Sequence, residues 1–415
     1  MHISGDSKSM VIIGAGHCGG RAALALREHG WQGAITLIGD EYYPPYERPA
    51  LSKALLAGDV VFEALHLTTT QGWQDAGIDL KLGTAVSHVD RGEQVVVLED
   101  GSIYPYGRLL IATGGAARRL PFLNGDSSRV HSIRTYEDVR QLQPLLIPGK
   151  RVLLVGGGFI GLEVACTART LGCEVVLVEG ANRLLGRAVP VEIAERITHL
   201  HWARGVELSL GCLPESIQED GKGVQVMLQN GQCYEADLVV VGIGMQPRTE
   251  LASAAGLAVD LGIMVDQHLR TTDPLIFAAG DVCQFPSWLT QKAGRQETWH
   301  NAQAQAQVAA ANMLGQAIEY HEPPWFWSDQ YDHTLQVCGD PTLGVHITVR
   351  ATGGEGVIQF YSDAGGRLVG FSGFGRQDLI SRDLKIARKL VERGGVVDLA
   401  SLANSQCPLK KLLSA

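Results

Sequence analysis

One pattern occurs twice in this chain and limits what it can fold into. Residues 11–40 read VIIGAGHCGGRAALALREHGWQGAITLIGD, and residues 152–179 read VLLVGGGFIGLEVACTARTLGCEVVLVE. Each runs from an apolar strand through a GxGxxG turn into an Ala/Leu-rich helix, a short polar turn, a second apolar strand and an acid. That is the strand–helix–strand unit of a dinucleotide-binding sheet. The two copies stand about one domain apart, so an α/β chain with two doubly wound, Rossmann-like sheets is expected.

The residue types follow from the chemistry of a pyrophosphate. Gly14 allows the tight turn, Gly16 lets the backbone approach the phosphates and Gly19 lets the helix pack closely on the strand. Ala15 and Cys18 complete that turn. The phosphates then meet unpaired N–H groups at the positive end of a helix. Asp40 lies where a carboxylate accepts hydrogen bonds from a ribose. In the second copy Gly156, Gly158 and Gly161 take the same parts, and Glu179 ends the second strand. A carboxylate there suits the ribose hydroxyls of NAD and repels the 2′-phosphate of NADP, although Arg183 and Arg187 lie nearby.

Two dinucleotide sites in one chain imply two cofactors, which suggests a flavoprotein that takes hydride from a nicotinamide. The stretch TTDPLIFAAGD (271–281) is an apolar strand ending in Gly-Asp, suited to offer Asp281 to the ribityl hydroxyls of a flavin. LLIATGG (109–115) and DLVVVGIGMQP (237–247) read as crossing strands between the modules. The expected division is an FAD domain at 1–115 and 246–322, an NAD domain at 116–245 and a C-terminal α/β domain at 323–415.

Composition excludes several other classes. Apolar residues make up 45% and charged residues 19%, enough for genuine cores. The formal charge of -9 argues against a nucleic-acid-binding surface. Eight cysteines occur without a CxxC pair, which reads as reduced thiols rather than a disulfide frame, and the 13 histidines show no metal-ligand spacing. No signal-peptide core and no apolar run long enough to span a membrane is present, so a cytoplasmic protein is expected.

With these residues in hand, the chain resembles the two-dinucleotide-binding flavoprotein reductases of glutathione-reductase-like fold. Within them it is most similar to the ferredoxin reductase components of bacterial Rieske-type aromatic-ring dioxygenases. The specific stretches are YERPALSK (46–53), AGD (279–281), Asn301-Ala302 and PWFWSDQY (324–331). Disulfide reductases of this superfold carry a CxxxxC pair after the first nucleotide unit. Here that stretch is the cysteine-free ERPALSK, so electrons are expected to leave the flavin directly for a one-electron carrier.

The resemblance implies FAD and NAD as cofactors and a [2Fe–2S] ferredoxin as acceptor, which passes electrons to a Rieske oxygenase. Rubredoxin, a cytochrome P450 ferredoxin or an NADH-sensing docking role are the alternatives. By the same resemblance Arg48 and Lys53 approach the flavin and its phosphates, and Val86 contacts the adenine end. Arg134 matches a family arginine, Trp299 meets the pyrimidine side of the flavin, and Trp327 lies near its ring system. Lys53 and Glu163 are expected to pair and to orient the nicotinamide. Near the C-terminus Ile380, Leu384, Ala387 and Val391 recur at helical spacing, with Arg382, Lys385, Lys389 and Arg393 on another face. That basic stripe would suit an acidic partner.

Overall fold

The computed structural model describes residues 9–122, 127–186, 188–219 and 221–413. The chain divides into two compact units. One takes the chain up to Arg48, then Glu63–Ala116 and Gln246–Pro324; the other takes Pro49–Phe62, Ala117–Met245 and Trp325–Ala415.

The first unit is built on a five-stranded sheet in the order Ile276–Ala278, Arg108–Ile111, Met10–Ile13, Ile35–Gly39, Ile78–Leu82. Every pairing in it is parallel. Met10–Ile13 is apolar at each position and buried throughout, as a central strand covered on both faces must be. The chain reverses its direction of travel across the sheet at this strand, which places the carboxyl end of Met10–Ile13 at the topological switch point. The helix His17–Glu28 starts there and buries Ala22, Ala23, Ala25 and Leu26. Its neighbour Trp299–Met313 presents Ala302, Ala306, Ala309 and Ala310, small enough for the two helices to approach closely.

The second unit repeats the plan. Its parallel sheet runs Val206–Leu210, Glu174–Glu179, Arg151–Val155, Leu238–Val241, Val130–His131. The helix Phe159–Thr170 follows the central strand. The same unit holds a five-stranded antiparallel sheet of Trp325–Gln330, His333–Gly339, Leu368–Arg376, Val357–Ser362 and His346–Ala351. The helix Gln377–Arg393 lays Ile380, Leu384, Ala387 and Leu390, all fully buried, against Ile358, Phe360 and Phe371 of that sheet. Arg382, Lys385, Lys389 and Arg393 are exposed. Arg350 is 3% exposed and donates to the carbonyls of Leu402, Asn404, Ser405 and Cys407, which ties the last turns to the sheet.

No helix among the described residues is long and apolar enough to cross a membrane.

Candidate functional site

Each central strand ends in a glycine turn of the same geometry. Gly14 has φ +109°, and a Cβ on it would stand 2.2 Å from the carbonyl oxygen of Ala112; Gly156 has φ +111°, with its Cβ 2.4 Å from the carbonyl oxygen of Gly242. Both positions are open to glycine alone. A Cβ at Gly19 would fall 1.9 Å from the oxygen of Gly14, and one at Gly161 2.0 Å from that of Gly156, so each helix rests directly on its turn. The helices begin at Gly16 and Gly158, neither of which gives a side-chain cap, and neither first turn carries an acid. Their leading N–H groups have no acceptor within the helix, which is the arrangement that suits an anion.

In the first unit several predicted residues converge on the turn. A terminal nitrogen of Arg48 lies 3.6 Å from where a Cβ of Gly16 would sit. Glu41, which the sequence reading missed, holds that guanidinium at 2.5 Å and accepts the Tyr46 hydroxyl at 2.6 Å. Gly280, next to Asp281, is so close to Cys18 that its own Cβ would be 3.1 Å from that of Cys18. Beyond the turn, Gly14, Asp40, Val86, Thr113, Arg248 and Leu251 line a cavity of about 360 Å³. Asp40 accepts Arg248 at 2.7 Å across it. A strongly curved phosphate turn, an arginine beside it and a cavity ending in an aspartate fit an adenine dinucleotide, with Arg248 and Thr113 as further lining residues. Ala15 stacks against the sheet at Gly39, whose Cβ would be 2.5 Å from that of Ala15.

Trp299 donates its indole N–H to Glu47, and its ring lies 5.1 Å from that of His17. Burial lowers His17 to about 4, so the imidazole is neutral, and Nε2 pairs with Gln303 at 3.0 Å. Burial also raises the Glu47 carboxyl. The thiols nearest this turn are poor redox candidates. Burial pushes Cys18 well above the usual thiol range and Cys283 to about 12, and a thiolate is the reactive form. None of the eight cysteines is in a disulfide.

In the second unit Glu163, 4% exposed, pairs with Lys53 at 2.8 Å. A buried carboxylate is costly unless its oxygens are satisfied. Ser52 donates to Oε2, and Ser328 donates to Oε1 at 2.7 Å. Glu179 is held by two backbone amides, Gly157 at 2.6 Å and Ala181 at 2.7 Å. Arg183 is engaged with the carbonyls of Gly186 and Val189, and Arg187 lies outside the described residues. Trp327 is half-buried and stacks on Trp325 at 5.0 Å, which in turn lies under Arg388 at 4.2 Å. Arg134 belongs to this unit, not to the one with the first glycine turn; its N–H donates to Asp138 ahead of the helix Tyr136–Leu142. Among the described residues no cluster of three His, Cys, Asp or Glu could hold a metal.

Two parallel sheets with matching glycine turns, one of them flanked by an arginine, define a protein built to hold two dinucleotides in one chain. Residues 8–306 match the family model for pyridine nucleotide-disulphide oxidoreductases, and residues 325–413 match a reductase C-terminal model. The chain is 41% identical to the anthranilate 1,2-dioxygenase system ferredoxin–NAD(+) reductase component of Burkholderia cepacia, over 97% of this chain and 98% of that one. It is 37% identical to the p-cumate 2,3-dioxygenase system ferredoxin–NAD(+) reductase component of Pseudomonas putida, over 98% of each. The crystal structure of a covalent putidaredoxin reductase–putidaredoxin complex superposes with a TM-score of 0.93 at 35% identity, covering 98% of both chains. The chain belongs to the pyridine nucleotide-disulphide oxidoreductase family. Like the ferredoxin–NAD(+) reductases in it, it uses FAD and NAD(H).

Proposed function

We propose that the protein passes electrons from NADH through FAD to a [2Fe–2S] ferredoxin that supplies an aromatic-ring-hydroxylating dioxygenase in the cytoplasm. The observation that carries this reading is the full-length likeness to reductase components of two dioxygenase systems. Eight cysteines outside any disulfide suit a reducing compartment.

Bound FAD supplies the conversion of a two-electron hydride into single electrons; the residues supply position and charge. Gly14, Gly16 and the first turn of His17–Glu28 hold the flavin pyrophosphate, and Arg48, fixed by Glu41, neutralises it. Asp40, Val86 and Arg248 receive the adenosine, and Asp281 the ribityl chain. Gly156, Gly158 and Gly161 hold the NADH pyrophosphate. Glu179, already oriented by two amides, accepts the ribose hydroxyls and repels a 2′-phosphate. The Lys53–Glu163 pair orients the nicotinamide, a contribution of alignment rather than acid–base chemistry. The exposed basic face of Gln377–Arg393 raises the encounter rate with an acidic ferredoxin.

Anaerobic reduction of a purified [2Fe–2S] ferredoxin tests this. NADH is expected to support turnover with kcat/KM on the order of 100-fold above NADPH, because a like-charge contact costs several kcal/mol. The ferredoxin-dependent rate is expected to fall as salt rises. Reduced flavin that the ferredoxin leaves unoxidised would contradict the reading, and equal use of both nucleotides would contradict the role of Glu179.

A further inference from the structure

Glu163 is the end of a longer chain of buried polar groups. Ser328 donates to its Oε1; the Ser328 hydroxyl oxygen accepts Gln330 Nε2 at 3.0 Å; Gln330 Oε1 meets His201 Nε2 at 2.8 Å. Ser328, Gln330 and His201 are 1%, 2% and 0% exposed. The direction of the chain follows from its end. An ionised carboxylate only accepts, so Ser328 must donate to it and accept from the Gln330 amide. The carbonyl oxygen of Gln330 is then left to accept, and His201 must carry its proton on Nε2. Among the described residues its Nδ1 has no hydrogen-bond partner, and burial lowers the ring to about 4, so the imidazole stays neutral and in this tautomer at physiological pH. Every donor points the same way, toward Glu163.

We propose that Ser328, backed by Gln330 and His201, is a positioning residue for the hydride-transfer step: it fixes the Glu163 carboxylate in the orientation in which that carboxylate holds Lys53. This rests on the reading of the Lys53–Glu163 pair given above. Ser52 cannot do the same alone. It adjoins Lys53 and is tied to the helix Phe159–Thr170 through Thr167, which donates to its carbonyl at 2.8 Å, so it secures Oε2 from the lysine's own segment. Ser328 reaches Oε1 from the antiparallel sheet, and it shares that oxygen with Lys53. The strand is pinned beside it by Tyr331, whose N–H donates to the Cys166 sulfur at 2.9 Å. The C-terminal segment therefore sets the geometry of a residue in the second nucleotide helix. Linked hydrogen bonds polarise one another in a buried setting, so loss of the middle member weakens the whole line.

The test is stopped-flow flavin reduction by NADH in the FAD-loaded protein. Ser328→Ala is expected to lower the limiting reduction rate on the order of 10-fold, the size of a lost hydrogen bond to a charged group, with the NADH dissociation constant unchanged. Ser328→Thr, which keeps the hydroxyl, restores the rate. The double variant Ser328→Ala/Glu163→Gln is no slower than Glu163→Gln alone, because the two act through one contact. Gln330→Met, which leaves Ser328 in place, gives a smaller slowing in the same direction. A wild-type rate for Ser328→Ala, or a threonine variant as slow as the alanine one, overturns the proposal. A wild-type rate for Glu163→Gln overturns the underlying reading of the ion pair instead, so the two failures are told apart.

Discussion

Replacing Glu163 by glutamine is expected to slow flavin reduction by NADH on the order of 100-fold while FAD remains bound, since misplacement of a reacting partner by about 1 Å costs that much. The amide removes the charge that faces Lys53 at 2.8 Å. It also puts an N–H₂ group against one of the hydroxyls of Ser52 and Ser328, each of which donates to a different carboxylate oxygen. One of those hydroxyls must turn away, and Lys53 loses its anchor. The residues that hold the rest of each nucleotide are untouched: Glu179 keeps its two amide donors, and Arg48 keeps Glu41. The deficit should thus lie in the reduction rate rather than in NADH affinity or flavin content. A stopped-flow trace at the wild-type rate would remove the pair from the mechanism.

Gly14→Ala is expected to yield a protein without bound flavin. An L-residue at φ +109° costs about 1–2 kcal/mol by itself. The added Cβ would also stand 2.2 Å from the backbone oxygen of Ala112, just past the neighbouring strand, which cannot swing aside as a side chain would. The turn must therefore shift, and with it the first N–H groups of His17–Glu28. A loss of about 1.4 kcal/mol of binding already means tenfold weaker retention, and this substitution exceeds that. Gly156→Ala provides the contrast: the same lesion in the second sheet should leave the protein yellow and abolish its reduction by NADH. Absorbance of the purified variants distinguishes the two, and a Gly14→Ala protein with full flavin content would refute the assignment of that turn.

The two parallel sheets were legible because their pattern is local. A buried strand, a glycine turn and a small-residue helix follow one another within about thirty positions, and Gly14, Gly19, Gly156 and Gly161 each stand where a Cβ would strike backbone. The C-terminal sheet was less legible. Leu368–Arg376 reads LVGFSGFGR and is buried along almost its whole length, so it lacks the polar–apolar alternation that announces an antiparallel strand. Within the candidate site, the glycines and the acids at 40 and 179 follow from spacing. The closeness of Lys53 to Glu163 does not: they lie on segments joined only by the fold. Ser328 and Gln330 fall inside the stretch PWFWSDQY, which marks the family but not their part in this line of hydrogen bonds, and His201 carries no signature. The two strand residues look like ordinary alternation, and His201 sits in an unremarkable helix, Val191–Ala203, where only its complete burial marks it. Arg248, likewise, reaches Asp40 from a distant strand–helix junction.

The claim on which the rest depends is that electrons pass between two nucleotides without a sulfur relay. Anaerobic titration of the FAD-loaded protein with a calibrated reductant tests it most directly. Uptake of two electrons per flavin is the expected result, because Cys18 and Cys283 are buried thiols held away from the thiolate form. Uptake of four, with thiols appearing as the second pair enters, would reveal a redox-active disulfide and contradict it.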